Sequence, residues 1–106
     1  MSIHIQTNYN KDENIWIVDI KGEIDIYTAN KVKEDLNKML DEQMADFKIN
    51  CLELTYIDST GLGVLIGILK RLKKEEKNIN IVNPKPNISK LFHITGLDKI
   101  FVIEGE

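Results

Sequence analysis

Apolar and polar residues alternate over Ile3-His4-Ile5-Gln6-Thr7, the pattern of an edge strand with one covered face. Turn chemistry fills Asn10 to Asn14, and a second strand follows from Ile15 to Ile20. The two are expected to pair as a hairpin. Gly22-Glu23-Ile24-Asp25 closes the second strand, and Thr28 is the expected cap of the helix beyond it. In that helix Ala29, Val32, Leu36, Met39 and Leu40 recur at helical spacing and form one core-facing stripe. Phe47 to Leu54 reads as a third strand, apolar enough to be central.

A second helix follows Thr60, with Leu62, Leu65, Leu69 and Leu72 along one face. Val64, Ile66 and Ile68 nearly close its apolar circle. Ile79 to Val82 makes a short fourth strand, and Asn83-Pro84-Lys85-Pro86 ends it. Asn87 is expected to cap a short helix bearing Ile88, Leu91 and Phe92, stopped near Gly96. Ile100 to Ile103 supplies a last strand. Strands and helices alternate after the opening hairpin, so the crossovers are right-handed and the sheet is mixed and mostly parallel. The expectation is one α/β domain over residues 1–106, without repeats or linkers.

Composition narrows the function classes. With 106 residues, 42% hydrophobic and 29% charged, the chain suits one compact domain. Its formal charge of −3 argues against general nucleic-acid binding, which needs clustered positive charge. The basic run Lys70-Arg71-Leu72-Lys73-Lys74 precedes Glu75-Glu76 and reads as a solvated helix end, where cations suit the dipole. Cys51 is the single cysteine, so no internal disulfide forms and a reducing compartment fits. Its apolar surroundings make it a core residue rather than a nucleophile. No signal peptide or membrane-length apolar run is seen, so a cytoplasmic protein without membrane contact is expected.

The densest chemistry lies in Tyr56-Ile57-Asp58-Ser59-Thr60-Gly61-Leu62-Gly63-Val64-Leu65, where a strand runs into a helix. Ser59 or Thr60 can serve as N-cap, and the glycines let another backbone come close. Enzymatic readings are weak. Gly61-x-Gly63-x-x-x-Gly67 resembles a dinucleotide loop, but Asp58 would meet a phosphate with like charge, and no acid follows Val82 to hold a ribose. No phosphate-loop lysine and no Gly-x-Ser-x-Gly elbow is present. Gly63 and Gly67 can instead permit close helix packing. His4, His93 and Cys51 are too scattered for a zinc site, so no metal and no catalytic residue is expected. Glu23 and Asp25 fit either a solvated turn or a place beside the Asp58–Ser59 loop.

Gly22-Glu23-Ile24-Asp25 with Tyr27, the Asp58-Ser59-Thr60-Gly61-Leu62-Gly63 stretch, Leu91-Phe92 and Ile94-Thr95-Gly96-Leu97 together resemble the bacterial anti-sigma factor antagonists. These are single STAS domains, and the resemblance spans essentially the whole chain. The Asp-Ser-Thr-Gly-Leu-Gly form is most like the general stress sigma factor type; the sporulation type more often has a second serine where Thr60 stands. The resemblance implies a mixed sheet with helices packed mainly on one face. It also implies partner switching: the unmodified protein binds an anti-sigma factor that is a serine kinase, freeing the sigma factor. The kinase phosphorylates Ser59, and a serine phosphatase reverses this. ATP belongs to the kinase, so no cofactor is expected here. Glu23, Asp25, Tyr27, Asp58, Ser59, Thr60, Gly61, Leu62 and Gly63 would form the contact surface. Asp58 would orient Ser59 or touch the kinase, Thr60 would cap, Gly61 and Gly63 would keep the approach open, and Leu62 would be an apolar anchor or a core residue. Two rival readings remain: a STAS module of another signalling assembly or small-ligand or nucleotide sensor, and a small enzyme using the Gly61–Gly67 loop.

Overall fold

A computed structural model describes residues 2–106. Its elements are β1 (Ile3–Asn10), β2 (Ile15–Ile24), α1 (Ala29–Glu42), β3 (Asp46–Asn50), β4 (Leu54–Ile57), α2 (Ser59–Lys73), β5 (Ile79–Val82), α3 (Pro86–Ile94) and β6 (Val102–Glu104). A short 3-10 helix, Leu97–Lys99, joins α3 to β6. The strands lie in the order β1-β2-β3-β5-β6, with β4 paired to β2. Among the described residues only the β1–β2 hairpin is antiparallel; the remaining pairs are parallel. The mixed sheet and central β3 match the sequence reading.

Burial alternates strictly along the middle strands. Trp16, Val18 and Ile20 of β2, Phe47 and Ile49 of β3, and Ile79 and Ile81 of β5 are buried, while their neighbours are half-exposed. One covered face and one wetter face follow directly from that period of two. The covered face meets Val32, Leu36 and Met39 of α1, Leu62, Leu65, Leu69 and Leu72 of α2, and Ile88 and Phe92 of α3 in one continuous core. Arg71 ties the two long helices together, donating to Asn37 Oδ1 at 2.8 Å and to Asp41 Oδ1 at 2.6 Å. No described helix is long and apolar enough to cross a membrane.

Three local expectations are corrected, and a fourth holds in position only. The single strand Phe47–Leu54 is two strands, because Asn50 Oδ1 accepts the Leu52 N–H at 3.2 Å and turns the chain at Cys51–Glu53. The last strand begins later, at Val102, because the Ile100 and Phe101 N–H groups bond back to the Leu97 carbonyl at 3.0 and 2.9 Å. Asn87 does not cap α3. Lys85 is the N-cap, Pro86 opens the helix, and Asn87 Nδ2 donates to the Thr55 carbonyl at 3.2 Å. Thr28 does stand at the N-cap of α1, but its hydroxyl makes no cap bond.

His93 sits in an exposed ionic cluster, its Nδ1 3.0 Å from Asp98 Oδ2 and its Nε2 2.5 Å from Glu106 Oε2; Ser89 also donates to Glu106. The Glu106 and Asp98 carboxylates raise the imidazole above its ordinary 6.5, and the Ser89 and His93 bonds lower the Glu106 carboxyl. The imidazolium contribution is complete below about 6.5 and is lost as pH rises through the raised folded value. The carboxylate contribution is lost as pH falls through its lowered value. Proton NMR of His93 should show a midpoint above 6.5 that returns toward it in the Asp98→Asn/Glu106→Gln variant; an unshifted wild-type midpoint would dissolve the cluster.

Cys51 is 1% exposed, and burial pushes its thiol up to about 12. A neutral, shielded thiol should resist disulfide reagents at neutral pH and react only as urea unfolds the chain. Rapid stoichiometric labelling of the native protein would contradict this placement.

Candidate functional site

β2 is long enough to take two neighbours on one edge. Its first half pairs with β3 and its last residues pair with β4, with Glu23 opposite Tyr56 and Ile24 opposite Ile57. Between the two registers lies an irregularity at Gly22, whose φ of +109° suits only glycine. The Asp58 N–H then bonds the Ile24 carbonyl at 3.2 Å. Two strand-to-helix corners, β2→α1 and β4→α2, thereby stand side by side.

The first corner is built by Asp25, which is 7% exposed. Its Oδ1 accepts the N–H groups of Tyr27 at 2.9 Å and Thr28 at 3.1 Å. The Thr28 hydroxyl donates to the Glu23 carbonyl at 2.8 Å and accepts the Asp25 N–H at 2.9 Å. Each buried polar group is therefore satisfied within the turn. Asp25 is neither a solvated acid nor a surface contact; it braces the loop. The turn it closes pushes Ile26 and Tyr27 outward, to 68% and 79% exposure. Glu23 is half-exposed beside it.

The second corner is built by Asp58. It is the N-cap of α2, with extended backbone and Oδ1 accepting the Gly61 N–H at 3.0 Å. The capping role expected of Ser59 or Thr60 therefore falls to Asp58, whose carboxylate is committed to the backbone. Ser59 and Thr60 occupy the first turn, both exposed. Among the described residues the Ser59 hydroxyl makes no hydrogen bond, so nothing in the fold requires it. The capping carboxylate also fills the anion position at the helix start, which disfavours the dinucleotide reading of these glycines.

Those glycines divide by face. A Cβ at Gly61 would stand 2.7 Å from Ile24 Cγ2 and 2.7 Å from Ile57 Cγ1. Gly61 therefore seats the helix on the sheet instead of keeping the surface approach open. Leu62 is 7% exposed and belongs to the core, which removes it as a free anchor. Gly63 and Gly67 face outward, where a Cβ would meet nothing within 4 Å, so close helix packing does not explain them. With Thr60, Val64 and Ile68 they form one side of a shallow trough of about 370 Å³, facing Ala29, Asn30, Lys33 and Asn37 of α1.

Sequence reasoning did not anticipate the exposure of Ile26 and Tyr56. Tyr56 is 47% exposed because β4 buries its end residues, Leu54 and Ile57, and turns Thr55 and Tyr56 outward. That signal was masked while Phe47–Leu54 was read as one strand. Ile26 could have been found as an apolar residue stranded between turn-formers. Among the described residues no cluster of three or more His, Cys, Asp or Glu could hold a metal.

Known proteins share this fold. The STAS domain family profile matches residues 6–105. The anti-sigma-B factor antagonist of Staphylococcus epidermidis is 39% identical over 106 residues, covering 99% of this chain and 96% of that protein. The crystal structure of an anti-sigma factor antagonist from Mycobacterium paratuberculosis superposes with a TM-score of 0.86 at 24% identity, covering 99% of this chain and 87% of that one. The Bacillus cell fate determinant SpoIIAA in its phosphorylated form gives a TM-score of 0.72 at 19% identity, over 94% of this chain and 90% of that one.

Substitutions should separate the two faces of α2. Gly61→Ala should lower stability by about 1–3 kcal/mol through overpacking against Ile24 and Ile57. Gly63→Ala and Gly67→Ala should each raise it by up to about 1 kcal/mol, since alanine favours helix and meets no clash. Urea midpoints read all three; the opposite ranking would reverse the assignment of faces.

Proposed function

The chain belongs to the STAS domain family, alongside the anti-sigma factor antagonists, and from that membership we propose that it is an anti-anti-sigma regulator of the general stress type. In its unphosphorylated form it binds an anti-sigma factor that is also a serine kinase, and the sigma factor is released. Phosphorylation of Ser59 ends that complex, and a serine phosphatase restores it. The protein works in the cytoplasm as one STAS domain over residues 1–106, and is itself no enzyme. ATP is the kinase's substrate, so this chain carries no cofactor.

The observation that carries this reading is the state of Ser59: exposed, unbonded, and one residue beyond a cap that holds the helix without it. A kinase can take such a hydroxyl without dismantling structure. Tyr27, Glu23, Asp58, Thr60 and Gly63 form the surrounding contact surface, joined by Ile26 and Tyr56 as apolar and aromatic anchors of the kind that dominate interfaces. Asp25 holds the Ile26–Tyr27 loop in place, and Gly61 and Leu62 support the corner from below. Gly63 leaves room for a partner's backbone.

The switch is electrostatic and local. A phosphoserine adds about −1.5 to −2 charges, which a helix N-terminus tolerates. The same dianion stands beside the Asp58 carboxylate and faces whatever the partner has placed there. One like-charge contact between the dianion and an acid of the partner, at ~5 Å and an effective dielectric of about 20, costs on the order of 3 kcal/mol before screening. A third of that already weakens binding about fivefold, and steric blockage adds to it.

Incubation with a cognate anti-sigma kinase and ATP should add one phosphoryl group at Ser59, located by mass spectrometry. Ser59→Ala should keep kinase affinity within about threefold, while Ser59→Asp loses about tenfold or more, with urea midpoints unchanged. Equal affinity of the two variants would remove the switch.

A further inference from the structure

A second surface lies at the other end of α2. Ile66, Leu69, Lys70, Lys73 and Lys74 follow one another at i, i+3, i+4, i+7 and i+8, a single face of the helix. Ile100, from the segment between the 3-10 helix and β6, forms the opposite wall. Together they line an open groove of about 570 Å³, its surface apolar and three of its lining residues lysines. Ile100 is 46% exposed there.

The cations of this groove are not consumed by the fold. Arg71, on the neighbouring face, is engaged by Asn37 and Asp41. Lys73 meets only the neutral side chain of Asn78, and Lys70 and Lys74 enter no ion pair among the described residues. Glu75 and Glu76 lie in the turn beyond and do not line the groove. The helix dipole accounts for basic residues at this end, but not for an uncovered apolar surface beside them.

We propose that this groove docks an acidic amphipathic helix of a partner protein, at a site separate from the Ser59 corner. The spacing along α2 is the one that helix-in-groove recognition reads. A partner helix lying antiparallel to α2 sets apolar side chains over half-buried Ile66 and exposed Ile100, with Leu69 buried beneath them. Its acid-rich first turn then falls over Lys70, Lys73 and Lys74, where its carboxylates are complementary to the ammonium groups. A second copy of this chain does not supply that element. The apolar stripe of α1, Val32, Leu36, Met39 and Leu40, is buried in its own core, and α3 carries no acid.

The two sites are independent by distance. Lys70 to Lys74 lie about 17–22 Å along the axis from Ser59, at ~1.5 Å per residue. That exceeds the Debye length of about 8 Å at physiological salt. A phosphoryl group at Ser59 therefore leaves the groove's potential nearly untouched, and the acidic partner is held in both states of the switch.

The test uses the isotope-labelled full chain and a synthetic amphipathic helix with leucines at i, i+3, i+4 and i+7 and glutamates in its first turns. Amide shifts should move around Ile66–Lys74 and Ile100. Lys70→Glu/Lys74→Glu and Ile100→Ser should each weaken the peptide about tenfold, with unchanged urea midpoints, while Ser59→Asp leaves affinity within about twofold. Raised salt should weaken the wild-type complex. The proposal is overturned if a lysine-substituted peptide binds equally well, if the shifts gather elsewhere, or if the groove variants bind as the wild type does. Preference for anionic phosphatidylserine vesicles over the peptide would overturn it too, as would loss of the peptide in Ser59→Asp.

Discussion

The sharing of one strand edge by two partners is what the rest of the molecule depends on. β2 gives its first half to β3 and its last residues to β4, and the chain changes register at Gly22. Asn50 turns the backbone out of β3, and the Asp58 N–H closes onto the Ile24 carbonyl. Without that step, Asp58 would follow β3 away from the Asp25 turn. With it, the two helix starts stand side by side, with Tyr27, Tyr56 and Ser59 each exposed. The site is a property of sheet register before it is a property of any side chain.

Each corner then solves the same problem with a carboxylate. Asp25 satisfies the N–H groups of its own turn, and Asp58 satisfies that of Gly61. Both are structural acids, and each frees the residues next to it from structural duty. This division lets Ser59 be chemically available while the helix behind it stays anchored. Gly61 completes the arrangement from inside, because only a residue without Cβ lets α2 settle between Ile24 and Ile57.

Much of this was legible in the chain, for physical reasons that differ by element. Period-two burial in β2 and β5 and the helical stripe of α1 follow from hydrophobic spacing, so they were readable. The buried Cys51 was readable from its apolar neighbours. The division of Phe47–Leu54 was not, because it comes from a side-chain-to-backbone bond at Asn50 that hydropathy does not register. The capping role of Asp58 was obscured by two hydroxyl residues that compete for it on propensity alone. Gly61 and Gly63 look alike in sequence and sit on opposite faces of one helix. The resemblance to the anti-sigma factor antagonists gave the family; it could not assign these faces.

The cap at Asp58 has a consequence at the level of the cell's accounting of protein molecules. On the proposed reading, the modified and unmodified forms keep the same scaffold, so both survive proteases equally and neither is preferentially cleared. The total pool is then conserved, and the information is held as a ratio between two equally long-lived populations. Such a signal resets by dephosphorylation alone and requires no new synthesis.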